Sequence, residues 1–266
     1  AAGLNIKTYP YYGGAVGRFP LDALLAQLEL ARPGDAVLLQ ASCHNPTGLE
    51  LSLDEWQMLS KLCLRKGLIP FIDMAYHGLG DGLDREREGL LAMARALPEL
   101  LLCYTCSKNF GLYRDRTGMV MALAANRSRR DEIDKQWMKL ATRHYFTPPA
   151  HGATLVRRIM QSDELRTLWV KELEVIRTRL QLIRQDLAAS FSKAIPARNW
   201  AFLLQGKGMF AMFPLSIDEI TALKRGYGIY IVNNGRVNLS GFNDKNLSST
   251  VAAIAAVVDK THATAI

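Results

Sequence analysis

Short apolar runs alternate with amphipathic segments through the first half of the chain, and this alternation constrains the fold most strongly. The apolar runs lie at residues 37–40, 69–72 and 101–106, and they are rich in residues typical of buried strands. Strands that alternate with helices build βαβ units, in which neighbouring strands run parallel. The pattern predicts an α/β fold with a mainly parallel sheet and flanking helices.

The segments between these runs carry helix and turn signals. Ser52-Leu53-Asp54-Glu55 has the spacing of a capping box and predicts a helix that continues to about Lys66. A glycine-rich loop is predicted at residues 78–82, a second helix at 88–97 and a fourth strand at 118–124.

The pattern changes after Pro148. A helix is predicted at residues 150–160, followed by a long charged helix at 163–192. The remaining sequence is typical of a smaller α+β domain, with strands predicted at 208–213, 229–232 and 236–239 and helices at 217–226 and 247–259. We place the domain boundary inside the long helix, which predicts a large domain at 1–175 and a small C-terminal domain at 176–266.

Polar residues lie at the carboxyl ends of the predicted strands. Asn45 follows the first strand, Asp73 and Tyr76 come at the end of the second, and Lys108 follows the third. Open α/β sheets bind their ligands along this edge. We therefore expect these four side chains to converge on one site.

Lys108 and Asp73 indicate the chemistry of such a site. Lys108 lies among hydroxyl-bearing residues and precedes Arg114 and Arg116, so it is placed to form an imine beside an anion; the alternative is a solvated surface lysine. Asp73 ends an apolar strand, where an unpaired carboxylate is costly and needs a cation. A protonated pyridine nitrogen would meet that need and could then act in an electron sink. A helix N-cap is the alternative role for Asp73.

Six motifs extend this hypothesis over nearly the whole chain. They are His44-Asn45-Pro46-Thr47-Gly48, Asp73-x-Ala75-Tyr76, Ser107-Lys108-Asn109-Phe110-Gly111-Leu112-Tyr113-x-x-Arg116, Pro148-Pro149-x-His151-Gly152, Gly208-Met209-Phe210 and Gly235-Arg236-Val237-Asn238. In their order and near-identical spacing, the chain resembles the class I aspartate and aromatic aminotransferases, from about residue 1 to about residue 258.

The resemblance implies a fold type I enzyme that uses pyridoxal 5′-phosphate. It implies that Lys108 forms the Schiff base with the cofactor and, once released as an amine, moves a proton between the substrate Cα and the cofactor C4′. Asp73 would pair with the pyridine nitrogen, while Asn45 and Tyr76 would hydrogen-bond the phenolic oxygen. The implied phosphate ligands are Arg116, Ser107 and Thr105, the last of which stands where the family usually has serine.

The resemblance also implies the substrate contacts. Arg236 would bind the α-carboxylate through a bidentate pair beside Asn45, and Phe210 would pack against the substrate. A surface salt bridge is the alternative for Arg236, and a plain core position is the alternative for Phe210. In the family an arginine before a Pro-Pro stretch reaches into the neighbouring subunit to bind a distal carboxylate. Arg143 is the candidate, although the segment 143–149 is one residue shorter than the family pattern.

The implied activity is the transfer of an amino group between an aspartate or aromatic amino acid and a 2-oxo acid such as 2-oxoglutarate, in a homodimer with shared active sites. The first third of the family chain has no counterpart here, so we expect a large domain that is incomplete at its N-terminus. Two alternatives remain open: a catalytically inactive fragment that acts only as a dimerising or binding module, and a pyridoxal-phosphate lyase or racemase on the same scaffold.

Charge and hydropathy argue against other classes of protein. The 33 basic and 25 acidic residues give a net charge of +8, but basic and acidic residues are interleaved across 157–193, and no aromatic residues are spaced for base stacking. We therefore expect no nucleic-acid partner. No uncharged apolar stretch reaches the roughly 18 residues of a membrane helix. No secretory signal is recognisable, so we expect a cytoplasmic protein, with an organelle as the alternative.

Cys103 and Cys106 share a C-x-x-C spacing that occurs in metal and redox sites. On the strand predicted at 101–106 they would point to opposite faces. We therefore expect four reduced thiols and no metal site.

Overall fold

The protein, described here by a computed structural model over residues 3–13 and 19–263, contains a four-stranded sheet. Its strands are β1 (Ala36–Gln40), β2 (Ile69–Met74), β3 (Leu100–Thr105) and β4 (Gly118–Leu123). They lie in chain order across the sheet. β1 pairs parallel with β2, and β2 pairs parallel with β3. The predicted α/β fold with a mainly parallel sheet is thus confirmed.

The fourth strand runs antiparallel to its neighbour, with Thr105 opposite Gly118 and Leu100 opposite Leu123. A parallel return would need a long crossover, usually with a helix. Residues 106–117 instead form turns without a helix. The chain therefore reverses at the carboxyl end of β3, and this reversal carries Lys108.

Six helices of the described chain precede residue 162. They are α1 (Leu21–Glu29), α2 (Leu53–Lys66), α3 (Leu83–Glu86), α4 (Glu88–Ala96), α5 (Arg127–His144) and α6 (His151–Gln161). α2 begins at the predicted capping box, in which the side chains of Ser52 and Glu55 each accept the other residue's backbone N–H. It ends at Gly67, whose φ of 63° is a left-handed cap that glycine adopts without strain. Helices α1, α3 and α5 are not among the predicted elements.

The C-terminal part is built on one long helix and a small second sheet. Its elements are α7 (Asp163–Ala194), α8 (Phe202–Gln205), β5 (Phe210–Met212), α9 (Ile217–Tyr227), β6 (Arg236–Asn238), a 3-10 helix (Leu239–Gly241) and α10 (Leu247–Ala263). β5 and β6 pair antiparallel. The mixture of helices and short strands agrees with a smaller α+β part, while the boundary predicted inside α7 stays a prediction.

The strand predicted at residues 229–232 is wrong. Gly228 takes a left-handed conformation at the end of α9, and its N–H bonds the carbonyl of Leu223. The N–H of Ile229 bonds the same carbonyl at 3.3 Å. This apolar run therefore follows directly from a helix terminus and pairs with neither β5 nor β6.

Two groups of buried apolar side chains meet at the carboxyl edge of the larger sheet. One group joins the sheet to α1, α2 and α4, and it includes Leu39, Ile72 and Met74. The other joins α7 to α9 and α10, and it includes Phe191 and also Tyr76. The segment from Met74 to Tyr76 therefore passes from one core into the other.

No helix of the described chain is long and apolar enough to cross a bilayer. All four cysteines are free, with Cys103 half-buried and the others buried.

Candidate active site

The side chains predicted to converge at the strand ends do lie together. The amide of Asn45 donates to the Tyr76 hydroxyl at 3.2 Å. The Lys108 ammonium lies 5.1 Å from the centre of the Tyr76 ring. Lys108 is half-buried, so it is not the solvated surface lysine of the alternative interpretation. Tyr76 is only 6% exposed, which makes it the fixed centre of this group.

Asp73 lies inside β2 rather than after its end, because the strand continues to Met74. It is therefore not a helix N-cap. Its carboxylate accepts a hydrogen bond from the Gln40 amide at 3.4 Å. Burial raises the pKa of Asp73 above its usual value, while the charge of Lys108 and the hydrogen bond from Gln40 oppose that rise. A cation beside this half-buried carboxylate would offset the cost of its burial.

Two of the three predicted phosphate ligands are in contact. The hydroxyl oxygens of Thr105 and Ser107 lie 2.9 Å apart, and the Ser107 N–H donates to the Thr105 hydroxyl at 3.3 Å. Arg116 lies on the same reversal of the chain, where its guanidinium is exposed and donates to the carbonyl of Tyr113 at 3.1 Å. Within the described chain, no hydrogen bond joins Arg116 to either hydroxyl.

The small sheet brings Arg236 and Phe210 to the same place. Arg236 donates to the side-chain oxygen of Asn45 at 3.2 Å, and its guanidinium carbon lies 5.3 Å from the centre of the Phe210 ring. The Phe210 ring meets the Tyr76 ring edge-on, with centres 5.8 Å apart. Arg236 therefore bonds to a site residue, not to a surface carboxylate, and Phe210 is half-buried at the start of β5.

Electrostatics around Tyr76 follow from this packing. Burial raises the pKa of the Tyr76 hydroxyl. The hydrogen bond from Asn45 and the positive charge of Arg236 act in the opposite direction, and the charge of Asp73 adds to the rise. Tyr76 therefore keeps its proton and can donate it in a hydrogen bond.

Arg143 does not join this group. It lies exposed in the last turn of α5, and no hydrogen bond or ion pair links its side chain to another described residue. Its predicted role belongs to a neighbouring subunit and remains a prediction.

One buried residue that holds the site together was not predicted. Arg184, on α7, is 3% exposed and donates to four carbonyl oxygens. The acceptors are Leu203 at 3.2 Å, Lys207 at 2.9 Å, Gly208 at 3.1 Å and Phe210 at 2.6 Å. Burial lowers the pKa of Arg184 to about 10. Its position on the apolar stripe of Leu180, Ile183 and Leu187 is the sequence signal that could have revealed it.

The segment held by Arg184 also packs tightly on the turn that carries Asn45. Gly48 has a φ of 73°, and a Cβ there would fall 2.6 Å from the Phe210 carbonyl. The N–H of Lys207 donates to the Gly48 carbonyl at 2.7 Å. The Lys207 ammonium pairs with Glu50 at 3.1 Å and also with Asp81. These contacts fix Phe210 relative to Asn45.

The predicted glycine-rich loop is organised by one carboxylate. Glu86 accepts the N–H groups of Gly78 and Gly80, each at 2.7 Å, and of Gly82 at 3.0 Å. Each of these bonds stabilises a negative charge in a buried position. The loop is therefore a rigid support directly after Tyr76.

Known proteins share this sequence and fold. The chain matches the family described as aminotransferase class I and II over residues 1–254. It is 38% identical to an aspartate aminotransferase of Salmonella typhi over 258 residues, which are 97% of this chain and 65% of the relative. It is 40% identical to an aromatic-amino-acid aminotransferase of Pseudomonas aeruginosa over 257 residues, which are 97% of this chain and 64% of the relative. The chain thus spans just under two thirds of these curated relatives.

Solved structures give the same result. An aromatic amino acid aminotransferase with 3-indolebutyric acid superimposes with a TM-score of 0.92 at 35% identity, covering 96% of this chain and 65% of that one. An aromatic-amino-acid aminotransferase from Burkholderia pseudomallei covalently bound to pyridoxal phosphate gives 0.90 at 32% identity, covering 94% and 62%. The resemblance read from the six motifs is confirmed, and the chain belongs to the class I and II aminotransferase family.

Proposed function

We propose that the protein is a pyridoxal-phosphate-dependent aminotransferase that moves an amino group between an aspartate or aromatic amino acid and a 2-oxo acid such as 2-oxoglutarate. The observation that carries this proposal is the grouping of Lys108, Asp73, Tyr76, Asn45 and Arg236 at one sheet edge. The names of the curated relatives, aspartate and aromatic-amino-acid aminotransferases, support it.

The donors and acceptors of the site fit pyridoxal phosphate. Asp73 is a half-buried carboxylate with an amide partner but no ion pair among the described residues, and a protonated pyridine nitrogen would be its counter-ion. Tyr76 and Asn45 would hold the phenolic oxygen. The contacting hydroxyls of Thr105 and Ser107, with Arg116 on the same loop, would hold the phosphate. When bound, the cofactor supplies the electron sink of the reaction.

Lys108 would serve as both the attachment point and the base. Its side chain forms no ion pair within the described chain, and it lies over the Tyr76 ring, where it is half-buried. A free amine at this place can accept the proton from the substrate Cα and pass it to the cofactor C4′. Because one positioned group performs both transfers, no second base is needed.

Arg236 would bind the substrate α-carboxylate. Its present partner is the Asn45 side-chain oxygen at 3.2 Å, a neutral acceptor that a carboxylate can replace with a stronger charge-assisted pair. Phe210 lies against the same guanidinium, so it would line the substrate side of the pocket. Arg143 would act from the neighbouring subunit of a homodimer, on the distal carboxylate of dicarboxylic substrates. We place the enzyme in the cytoplasm.

Chemical trapping tests the proposal. The protein, at its natural full length, is incubated with pyridoxal phosphate, reduced with sodium borohydride and digested for mass spectrometry. We expect one pyridoxyl group, on the peptide that contains Lys108, and a visible absorbance band that Lys108→Ala abolishes. The matched control is Lys139→Ala, an exposed lysine of α5.

Product analysis completes this test. Turnover of aspartate or phenylalanine with 2-oxoglutarate should yield glutamate. Label spread over surface lysines would contradict the proposal and favour a non-catalytic binding module. Label on Lys108 with release of ammonia or a racemised amino acid, and no glutamate, would replace the aminotransferase with a lyase or racemase.

A further inference from the structure

Three side chains form a hydrogen-bonded group beside the proposed cofactor site. His77 Nδ1 lies 3.0 Å from the Tyr104 hydroxyl oxygen. The Asn109 amide donates to the same oxygen at 2.7 Å and to the His77 carbonyl at 3.3 Å. The rings of His77 and Tyr104 also meet edge-on, with centres 5.7 Å apart. We call these residues the His77–Tyr104–Asn109 triad.

Each member of the triad is the chain neighbour of a proposed site residue. His77 follows Tyr76, Tyr104 precedes Thr105, and Asn109 follows Lys108. The three segments come from the ends of different strands or from the reversal after β3. The triad is thus a direct link between the backbones that carry the amine, the phenol and the phosphate-binding hydroxyl.

The donors and acceptors of the triad can be assigned consistently. His77 Nε2 lies 2.8 Å from the Leu83 carbonyl, which can only accept, so this nitrogen carries the proton. In the neutral ring, Nδ1 is then the acceptor for the Tyr104 hydroxyl, whose oxygen receives the Asn109 amide. Burial raises the pKa of Tyr104 to about 12, against the opposing hydrogen bond from Asn109. Tyr104 therefore stays protonated and joins both partners.

Helix α7 supports the triad from its other side. The Trp169 indole donates to the Asn109 carbonyl at 2.7 Å. The Trp169 ring stacks on Phe110 with centres 4.6 Å apart and planes 10° from parallel. Trp169 therefore holds both residues that directly follow Lys108: it bonds the main chain of Asn109 and stacks on the side chain of Phe110.

We propose that the triad positions Lys108 relative to Tyr76 and so sets the proton affinity of the cofactor bound there. The proposal rests on the proposed function. The triad members are positioning residues, because the contacts that carry the argument are to one another, to Leu83 and to α7. Tyr104 is the main junction, since its single oxygen bonds both His77 and Asn109, while the direct bond from the Asn109 amide to the His77 carbonyl is longer.

Tyr104→Phe tests the junction, since it removes one oxygen and keeps the ring that packs on His77. We expect the variant to bind pyridoxal phosphate on Lys108. The midpoint of the pH titration of its visible band should rise by about 0.3 to 1 pH unit, because a displaced Tyr76 hydroxyl would donate less well to the phenolic oxygen. We expect kcat to fall about threefold to tenfold, with KM changed less than about twofold.

A matched control separates positioning from stability. Tyr9 is a half-buried tyrosine away from the site, and its hydroxyl donates to the Leu38 carbonyl. Tyr9→Phe also removes a hydroxyl hydrogen bond, so it should lower the melting temperature without moving the spectral midpoint. If Tyr104→Phe does the same and no more, the triad is merely structural and the proposal is overturned.

His77 provides a second comparison, which serves if Tyr104→Phe does not fold. His77→Gln keeps one acceptor and one donor and should retain the wild-type midpoint, whereas His77→Leu should shift it upward. Equal midpoints in both variants and in the wild type would overturn the proposal. If the wild-type protein lacks the Lys108-dependent band, both the proposed function and the triad proposal are overturned. If the band is present but none of the variants shifts its midpoint, only the triad proposal is overturned.

Discussion

Burial decides which polar residues of this chain need a partner, and it does so one residue at a time. Asp73 could be identified from the sequence because a carboxylate at the end of an apolar strand is desolvated wherever the helices lie. The burial of Arg184 is signalled by its place on the apolar stripe of α7, but its carbonyl partners could not be identified, because they lie on a segment distant in sequence. Asp73 is half-buried and Arg184 is buried, but of the two only Asp73 would take a charged partner from outside the chain.

His44 makes folding stability depend on pH. Its Nδ1 lies 2.8 Å from the Thr47 hydroxyl and its ring stacks on Tyr11, with centres 3.9 Å apart. Burial lowers the pKa of His44 from 6.5 to about 4. The unfolded chain therefore binds more protons than the folded chain between pH 6.5 and about 4, and stability is lost as the pH falls through this window.

We expect the free energy of unfolding to fall by up to about 2 to 3 kcal/mol across that window from His44 alone. Urea unfolding at pH 7 and pH 4.5 measures it. His44→Asn, which keeps an acceptor for the Thr47 hydroxyl, should show a smaller loss. An equal loss in the variant would assign the acid sensitivity to other groups.

At the scale of elements, periodicity and capping chemistry predicted most of the fold. The capping box of α2 and the alternation of the first three strands are local patterns, and local patterns can be read directly. The direction of β4 depends on how the chain crosses the sheet edge, which no periodicity encodes. The apolar run at 229–232 resembled a strand, but its first N–H, that of Ile229, bonds the end of α9.

The sequence predicted that the side chains of the candidate site come together, but it did not predict the residues that support them. Asn45, Asp73 and Lys108 are placed by strand ends, and parallel strands bring their ends to one edge. Arg236 could be included only through a motif resemblance, since it arrives from the second sheet. The supports, such as the triad and Arg184, depend on contacts between elements far apart in sequence.

Arg184 should be the most destabilising single replacement in the support of the small sheet. Arg184→Met would leave the carbonyls of Leu203, Lys207, Gly208 and Phe210 without their donor in a buried place. We expect the free energy of unfolding to fall by about 3 to 5 kcal/mol, as for other buried groups that lose a charged partner.

The control for this replacement lies on the same helix. Arg166 is exposed, and no hydrogen bond or ion pair links its side chain to another described residue, so Arg166→Met should cost no more than about 0.5 kcal/mol. Guanidinium unfolding of both variants and of the wild type measures the difference. Similar losses in the two variants would show that the Arg184 contacts contribute little to stability.

The whole molecule presents an apolar surface on the far edge of its larger sheet. In β4, Met119, Val120 and Met121 are 51%, 47% and 44% exposed. None of the residues of α5, which follows β4, is buried, and Arg143 lies in its last turn. Arg143 is thus exposed in the single subunit. Because its predicted role is in the active site of a neighbouring subunit, that role can be tested only in the assembled protein.

Mixing two variants that should each be inactive toward aspartate tests the shared site directly. Lys108→Ala lacks the proposed base, and Arg143→Ala lacks the proposed ligand for the distal carboxylate. If each active site takes Lys108 from one subunit and Arg143 from its partner, a hybrid dimer has one site with both residues and one with neither. Unfolding and refolding the variants together should then restore aspartate turnover that neither shows alone, while phenylalanine turnover by Arg143→Ala should change little. No gain on mixing would place both residues in the same subunit's site or remove Arg143 from the reaction. The aspartate rate of Arg143→Ala alone would distinguish these outcomes, since it falls only if Arg143 takes part.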